Sequence, residues 1–184
     1  MTFKWFPNAI CIGRIVLVAP IAFMLLDERY AAALVLIGVA AFSDALDGFL
    51  ARSFDWRTRL GGLLDPAADK LLVFTVFVTL TYLGLVPVLL TVLVVSRDVV
   101  IIAGALTYQW LIEPVRGEPT LISKLNTAAQ LVFVISTLTA AAFQWPPSPV
   151  ILMFGAAVVF TSITSGLNYV VAWSKRAWRK SRAA

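Results

Sequence analysis

Histidine is absent from the 184 residues, cysteine occurs once, at Cys11, and charged residues make up only 14% of the chain. Without imidazole, neither a histidine base nor a histidine metal ligand is available. A lone cysteine excludes an intrachain disulfide and a cysteine-based zinc site. Any metal chemistry must therefore use oxygen ligands, which suits a hard cation such as Mg²⁺. The shortage of charge accompanies an excess of apolar residues: 60% of the chain is hydrophobic, and mean hydropathy is +0.90. Soluble domains run at roughly 45–50% apolar, so this composition reads as membrane protein. Internal repeats, low-complexity tracts and a soluble appendage are also lacking. A single domain is expected over residues 1–184, too short for more than one membrane bundle.

Apolar runs of about 20 residues, the length needed to cross the hydrocarbon, predict six helices. They are Asn8 to Leu26, Ala31 to Ala51, Gly62 to Leu83, Val86 to Trp110, Lys124 to Phe143 and Val150 to Trp173. The connections are short, polar or marked by Pro and Gly, as in Trp145-Pro146-Pro147-Ser148-Pro149. The expected fold is all-α: a polytopic membrane protein with six transmembrane helices in one bundle. Asn8, Arg14 and Pro20 interrupt the first run and no small-residue cleavage site follows, so a retained span is expected and not a cleaved signal peptide.

Basic residues set the expected orientation. Lys4, the loop with Arg52, Arg57 and Arg59, Arg116, Lys124 and the tail from residue 174 to 184 all fall on one side of a six-span chain, against Arg29 on the other. That side should be the cytoplasm, with both termini on it. The tail, with Lys175, Arg176, Arg179, Lys180 and Arg182, directly follows a span and reads as a topology signal and an anionic-lipid contact; no nucleic-acid partner is expected. Trp5, Trp56, Trp110 and Trp145 lie near predicted span ends, as interfacial anchors do.

Against this background stand four carboxylates. Asp44-x-x-Asp47-Gly48-x-x-Ala51-Arg52 is followed, after eight residues, by Gly61-x-x-x-Asp65-x-x-x-Asp69. A charge at the bilayer centre costs at least ~2.5 kcal/mol on insertion scales, so such a set calls for compensation, most simply by bound cation. Intervals of three and four place each group on one helical face. The small Gly48, Ala51 and Gly61 on those faces leave room for a ligand or for close helix approach. Two divalent ions about 3.5–4 Å apart can clamp a phosphoryl group, and such a site needs several facing carboxylates with one free to take a proton.

The pattern is similar, without departure, to the signature of the CDP-alcohol phosphotransferase family, and the resemblance covers nearly the whole chain. It implies a six-helix membrane enzyme, usually a homodimer, in which an alcohol attacks a CDP-linked lipid and CMP is released. It implies Asp44, Asp47 and Asp65 as ligands of two Mg²⁺ or Mn²⁺ ions, and Asp69 as general base and further ligand. Gly48, Ala51, Arg52 and Gly61 would line the CDP site.

Within the family, the segment around Ser96-Arg97-Asp98 and the stretch from Pro119 to Gln130 resemble the eukaryotic-type, CMP-forming cardiolipin synthases. The expected substrates are CDP-diacylglycerol and phosphatidylglycerol, with glycerol 3-phosphate, as in phosphatidylglycerophosphate synthases, the alternative acceptor. Arg97 and Lys124 are candidates for holding an acceptor phosphate. Equally, Arg97 could pair with another span's carboxylate and Lys124 could snorkel at a helix start. Asp98 reads as an internal partner. Arg14 is either a nucleotide contact or a topology determinant, and Asp55, Arg57 and Arg59 read as a solvated loop. Since no mitochondrial presequence precedes the first span, a bacterial inner membrane is expected. An ion or proton transporter would also account for four Asp in a bundle, but not for Gly48, Ala51, Arg52 and Gly61 at their spacing.

Overall fold

A computed structural model describes residues 6–53, 61–111 and 121–181, with side chains described for 12–43, 46, 68–104 and 121–169. The described residues form six α-helices and no strand: α1 (Phe6–Leu26), α2 (Tyr30–Ser53), α3 (Gly61–Tyr82), α4 (Val88–Leu111), α5 (Leu121–Phe143) and α6 (Ser148–Ser181). Each apolar run predicted from the sequence is one of these helices. Leu121–Phe143 and Ser148–Tyr169 are long and apolar enough to cross a membrane; Ile12–Leu26 and Tyr30–Ser43 are shorter apolar stretches.

Two helix ends differ from the sequence expectation. Starting at Leu121, α5 places Lys124 in its first turn. At its other end α6 continues through the basic tail as far as Ser181. Hydropathy drops at Ser174, but Lys, Arg and Ala are good helix formers and no Gly or Pro intervenes to stop the helix.

The described turns close with hydrogen bonds that satisfy orphan carbonyls. After α1, Glu28 adopts φ 57° while its N–H donates to Leu25 O and the Arg29 N–H donates to Met24 O, at 3.0 and 2.8 Å. After α3 the same closure uses Gly84 at φ 73°, with Gly84 N–H to Thr81 O and Leu85 N–H to Leu80 O. Both are left-handed helix caps, and Gly84 is the residue type for which that conformation carries no Cβ penalty. Pro87 then precedes α4, where a missing N–H costs nothing.

The chain divides into two compact units, residues 1–86 with 137–145, and residues 87–136 with 146–184. In the first, α1 packs against both α2 and α3. Its core is built from residues at helical spacing: Val18, Ile21 and Leu25 of α1, Ala33, Ile37 and Ala40 of α2, and Val76, Phe77 and Leu80 of α3. In the second, α4 packs against α6, and Leu90, Val94, Phe133, Val134 and Val158 are buried. The outward faces remain apolar: Leu89, Leu152, Phe160 and Phe42 are 69–82% exposed. Apolar exposure on that scale is a liability in water and ordinary against lipid tails.

Candidate functional site

The paired motif lies on two helices of the first unit. Asp44, Asp47, Gly48, Ala51 and Arg52 are in the last turns of α2; Gly61, Asp65 and Asp69 are in the first turns of α3. Because both helices pack on α1, the two halves of the motif are carried by neighbours of one helix. The side chains of Asp44, Asp47, Gly48, Ala51, Arg52, Gly61 and Asp65 lie outside the described residues, as does the Asp55–Arg59 loop.

Asp69 is described, and its surroundings give Arg14 a third role that neither sequence reading contained. Arg14 Nη1 donates to Asp69 Oδ1 at 2.6 Å, an ion pair between α1 and α3. The guanidinium side is 1% exposed and the carboxylate side 49%. Arg14 is thus held in the protein while Asp69 presents a half-open carboxylate. A charge-assisted bond of this length is among the stronger hydrogen bonds and fixes direction as well as distance. Ala68, the preceding residue on α3, is fully buried, so the backbone under Asp69 is also held in place.

The second unit contains a buried polar set on α4, α5 and α6. Arg97, 5% exposed, donates through Nη1 to Asp98 Oδ1 at 2.6 Å, and through Nη2 to Ser123 Oγ at 2.8 Å and Ser165 Oγ at 2.5 Å. Asp98 is therefore an internal partner, and the carboxylate that Arg97 engages lies on its own helix. One layer along, Asn126 Oδ1 accepts from Thr161 Oγ1 and Ser162 Oγ, both at 2.9 Å. Lys124 is exposed in the first turn of α5. The sequence does signal this set: Ser123, Asn126 and Gln130 recur at three and four residues, one face of a helix. Its burial is what the sequence reading missed.

Among the described residues no three acidic, histidine or cysteine side chains cluster as a metal site; three of the four motif carboxylates are outside that set. The donor chemistry nonetheless fits a hard divalent cation, since the motif offers carboxylate oxygens and the Asp69 carboxylate is half-exposed.

The family model that matches this chain is that of CDP-alcohol phosphatidyltransferase, over residues 4–167. The chain belongs to that family. A CMP-forming cardiolipin synthase of Homo sapiens is 36% identical over 179 residues, which is 89% of this chain and 60% of the human protein. A CDP-diacylglycerol–glycerol-3-phosphate 3-phosphatidyltransferase of Aquifex aeolicus is 38% identical over 127 residues, 66% of this chain and 68% of that protein. One of the same description from Bacillus subtilis is 27% identical over 179 residues, 89% of this chain and 92% of that protein. The chain thus spans about 60% of the length of the mammalian relatives it matches. CDP-alcohol phosphatidyltransferases are membrane-associated and generally depend on a divalent metal.

Proposed function

We propose that this chain is a membrane phosphatidyltransferase that joins CDP-diacylglycerol to phosphatidylglycerol, giving cardiolipin and CMP. The observation that carries the reading is the complete paired motif on α2 and α3, two helices held by α1. Similarity to CMP-forming cardiolipin synthase over 89% of the chain supports the choice of acceptor.

In this reading the six helices are six spans of one bundle in a bacterial inner membrane, with both termini cytoplasmic, and residues 1–184 are one domain that works as a homodimer. Asp44, Asp47, Asp65 and Asp69 would hold two Mg²⁺ ions, which neutralise charge on the transferring phosphate when bound. Gly48, Ala51, Arg52 and Gly61 line the CDP site. Asp69 takes the proton from the acceptor hydroxyl as its oxygen bonds to the phosphorus of the CDP-linked phosphate, and the bond to CMP breaks. Arg14 holds Asp69 in position for that transfer. For the acceptor's phosphate the reading takes Lys124, exposed in the first turn of α5, with Arg97 tying the adjacent Ser123 in place.

A second reading has a specific observation in its favour: the Aquifex and Bacillus relatives are described as acting on glycerol 3-phosphate. The experiment that separates the two is incubation of the purified, detergent-solubilised protein with CDP-diacylglycerol and Mg²⁺, adding phosphatidylglycerol or glycerol 3-phosphate separately. Cardiolipin formed with phosphatidylglycerol is the expected product. Phosphatidylglycerophosphate formed only with glycerol 3-phosphate would move the chain to the second reading, and no CMP release with either would overturn both.

A further inference from the structure

Helix α6 is longer than a membrane requires. Its 34 residues rise about 51 Å, against about 30 Å of hydrocarbon. The apolar part ends at Tyr169, and roughly 18 Å of helix, carrying Lys175, Arg176, Arg179 and Lys180, continues past it. Sequence alone treats these four cations alike, but helical register divides them. The buried residues of α6 are Gly155, Val158, Ser162 and Ser165, a stripe turned toward the rest of the second unit. Ser165 accepts from Arg97 of α4, and Ser162 donates to Asn126 of α5. The same steps of three and four carry on to Tyr169, Trp173, Arg176 and Lys180. At about 3.6 residues per turn, Arg176 and Lys180 fall within about 20° of the middle of that stripe, whereas Lys175 and Arg179 fall roughly 80–120° to one side.

The helices beside this stripe do not neutralise it. Hydrogen bonds from Arg97 to Ser123 and Ser165, and from Thr161 and Ser162 to Asn126, set α5 antiparallel to α6. From that shared level α5 reaches Leu121 in about 3 Å, while α6 runs on to Ser181 for about 24 Å. Helix α4 continues to Leu111, and residues 99–111 contain no acidic side chain. The imbalance extends to the whole unit: the second unit carries eight basic and three acidic residues, the first seven of each. All of the chain's net charge of +5 thus belongs to the second unit. Asp98 is matched by Arg97. Even with Glu113 and Glu118 each spent on a cation, five positive charges are left for an anion from outside the chain.

The order of residues along the stripe selects the kind of anion. Apolar positions give way to Tyr169 and Trp173, of the types that settle at the headgroup boundary, and then to Arg176 and Lys180. A phospholipid presents the same order: acyl chain, glycerol, phosphate. A soluble anion has no use for the apolar and aromatic steps. Long basic side chains can reach back toward the phosphate level from about 10 Å past the end of the apolar stretch.

We infer that Arg176 and Lys180 seat the phosphate of an anionic phospholipid on the side of α6 that faces its own unit. The seat goes beyond the proposed activity, because it recognises headgroup charge and takes lipids that have no acceptor hydroxyl. Each basic residue at an anionic lipid surface is worth about fivefold in affinity, and the pair about thirtyfold.

The test is lipid retention by the full-length protein in detergent, read by native mass spectrometry during titration with phosphatidylserine, which is anionic and offers no hydroxyl, or with zwitterionic phosphatidylcholine. Two variants of equal charge are compared: Arg176→Gln with Lys180→Gln, and Lys175→Gln with Arg179→Gln. Wild type should hold phosphatidylserine at least about tenfold more tightly than phosphatidylcholine. The first variant should lose about thirtyfold in phosphatidylserine affinity and the second no more than about threefold. If the first variant does not fold, Lys180→Gln alone, in the last turn of α6, should lose about fivefold. Equal losses in the two variants would show diffuse attraction and overturn the seat, as would no preference in wild type. Displacement of the lipid by millimolar inorganic phosphate would make it a site for a soluble anion, which also overturns it. So does a first variant that, before any lipid is added, unfolds at a markedly lower temperature than wild type and the second variant, because the pair is then spent within the chain. Retention of phosphatidylserine as expected, with no CMP release from CDP-diacylglycerol and either acceptor, leaves the seat standing while the proposed activity fails.

Discussion

Arg14 on α1 and Asp69 on α3 are joined by a 2.6 Å ion pair in which the arginine is buried and the carboxylate half-open. The asymmetry says which partner serves the other. An arginine kept from water at 1% exposure is rigid, and what it holds is the last carboxylate of the paired motif. Arg14→Gln should therefore lower kcat, by as much as about a hundredfold if the carboxylate shifts by an ångström, with little change in KM for CDP-diacylglycerol. Thermal stability should fall only slightly, because the carboxylate left behind is already half-exposed. Arg14→Lys should lie between, keeping the charge and losing the planar fork. A drop in unfolding temperature with unchanged kcat per folded molecule would make the pair purely structural.

Asp69→Asn tests the proton acceptor. Asparagine retains a carbonyl oxygen that can still accept from Arg14, so the helix contact and CDP-diacylglycerol binding should persist. Turnover should fall by roughly 10²–10⁴, the usual worth of a general base. The measurement is a binding constant beside a single-turnover rate. Weakened binding with normal turnover at saturation would mark Asp69 as a ligand and not a base.

Asp44→Ala, Asp47→Ala and Asp65→Ala should each abolish CMP release in folded protein, since two clustered ions lose a shared ligand. Chelation of the wild type should do the same, with activity restored by Mg²⁺. Near-normal rates in any of the three variants would refute the two-metal assignment.

The helices were legible in the sequence because a run of about 20 apolar residues has few other uses. The motif was legible because Asp, Gly and Ala at intervals of three and four share a helical face. The Arg14–Asp69 pair was not, since nothing in spacing links two residues on different helices. Nor was the reach of α6 to Ser181, because hydropathy marks where lipid contact should end and helix propensity does not. Asn126 and Gln130 could be placed on a face from their spacing, but burial of that face comes only from how α4, α5 and α6 are arranged. The side chains of Asp44, Asp47 and Asp65 are outside the described residues, so their roles still rest on the family signature.

Gly155 and Gly38 make a paired test of packing. A Cβ at Gly155 would meet Phe133 Cε2 at 3.3 Å and Leu90 Cδ1 at 3.6 Å, whereas one at Gly38 would meet nothing within 4 Å. Gly155→Val should destabilise the second unit by about 1–3 kcal/mol through overpacking. Gly38→Ala should be neutral or gain up to about 1 kcal/mol from the reduced freedom of the unfolded chain. Unfolding in detergent, followed by tryptophan fluorescence, reads both. Equal effects at the two sites would mean that α6 can move away from Phe133 at no cost.

Arg97→Met should be the most destabilising of these substitutions. It removes the hydrogen bonds to Asp98, Ser123 and Ser165 and strips a 13% exposed carboxylate of its guanidinium. Breaking one side of a buried pair costs about 3–5 kcal/mol, because the remaining charge keeps its desolvation penalty. Asp98→Asn on that background should recover part of the loss by removing a charge that has lost its guanidinium, a coupling that a double-mutant cycle reads directly. The same cycle separates structure from substrate contact. If Arg97 acts by tying Ser123 beside Lys124, the double variant should regain stability and with it most of the affinity for phosphatidylglycerol. Regained stability with affinity still lost would instead put the Arg97 charge itself in contact with the acceptor.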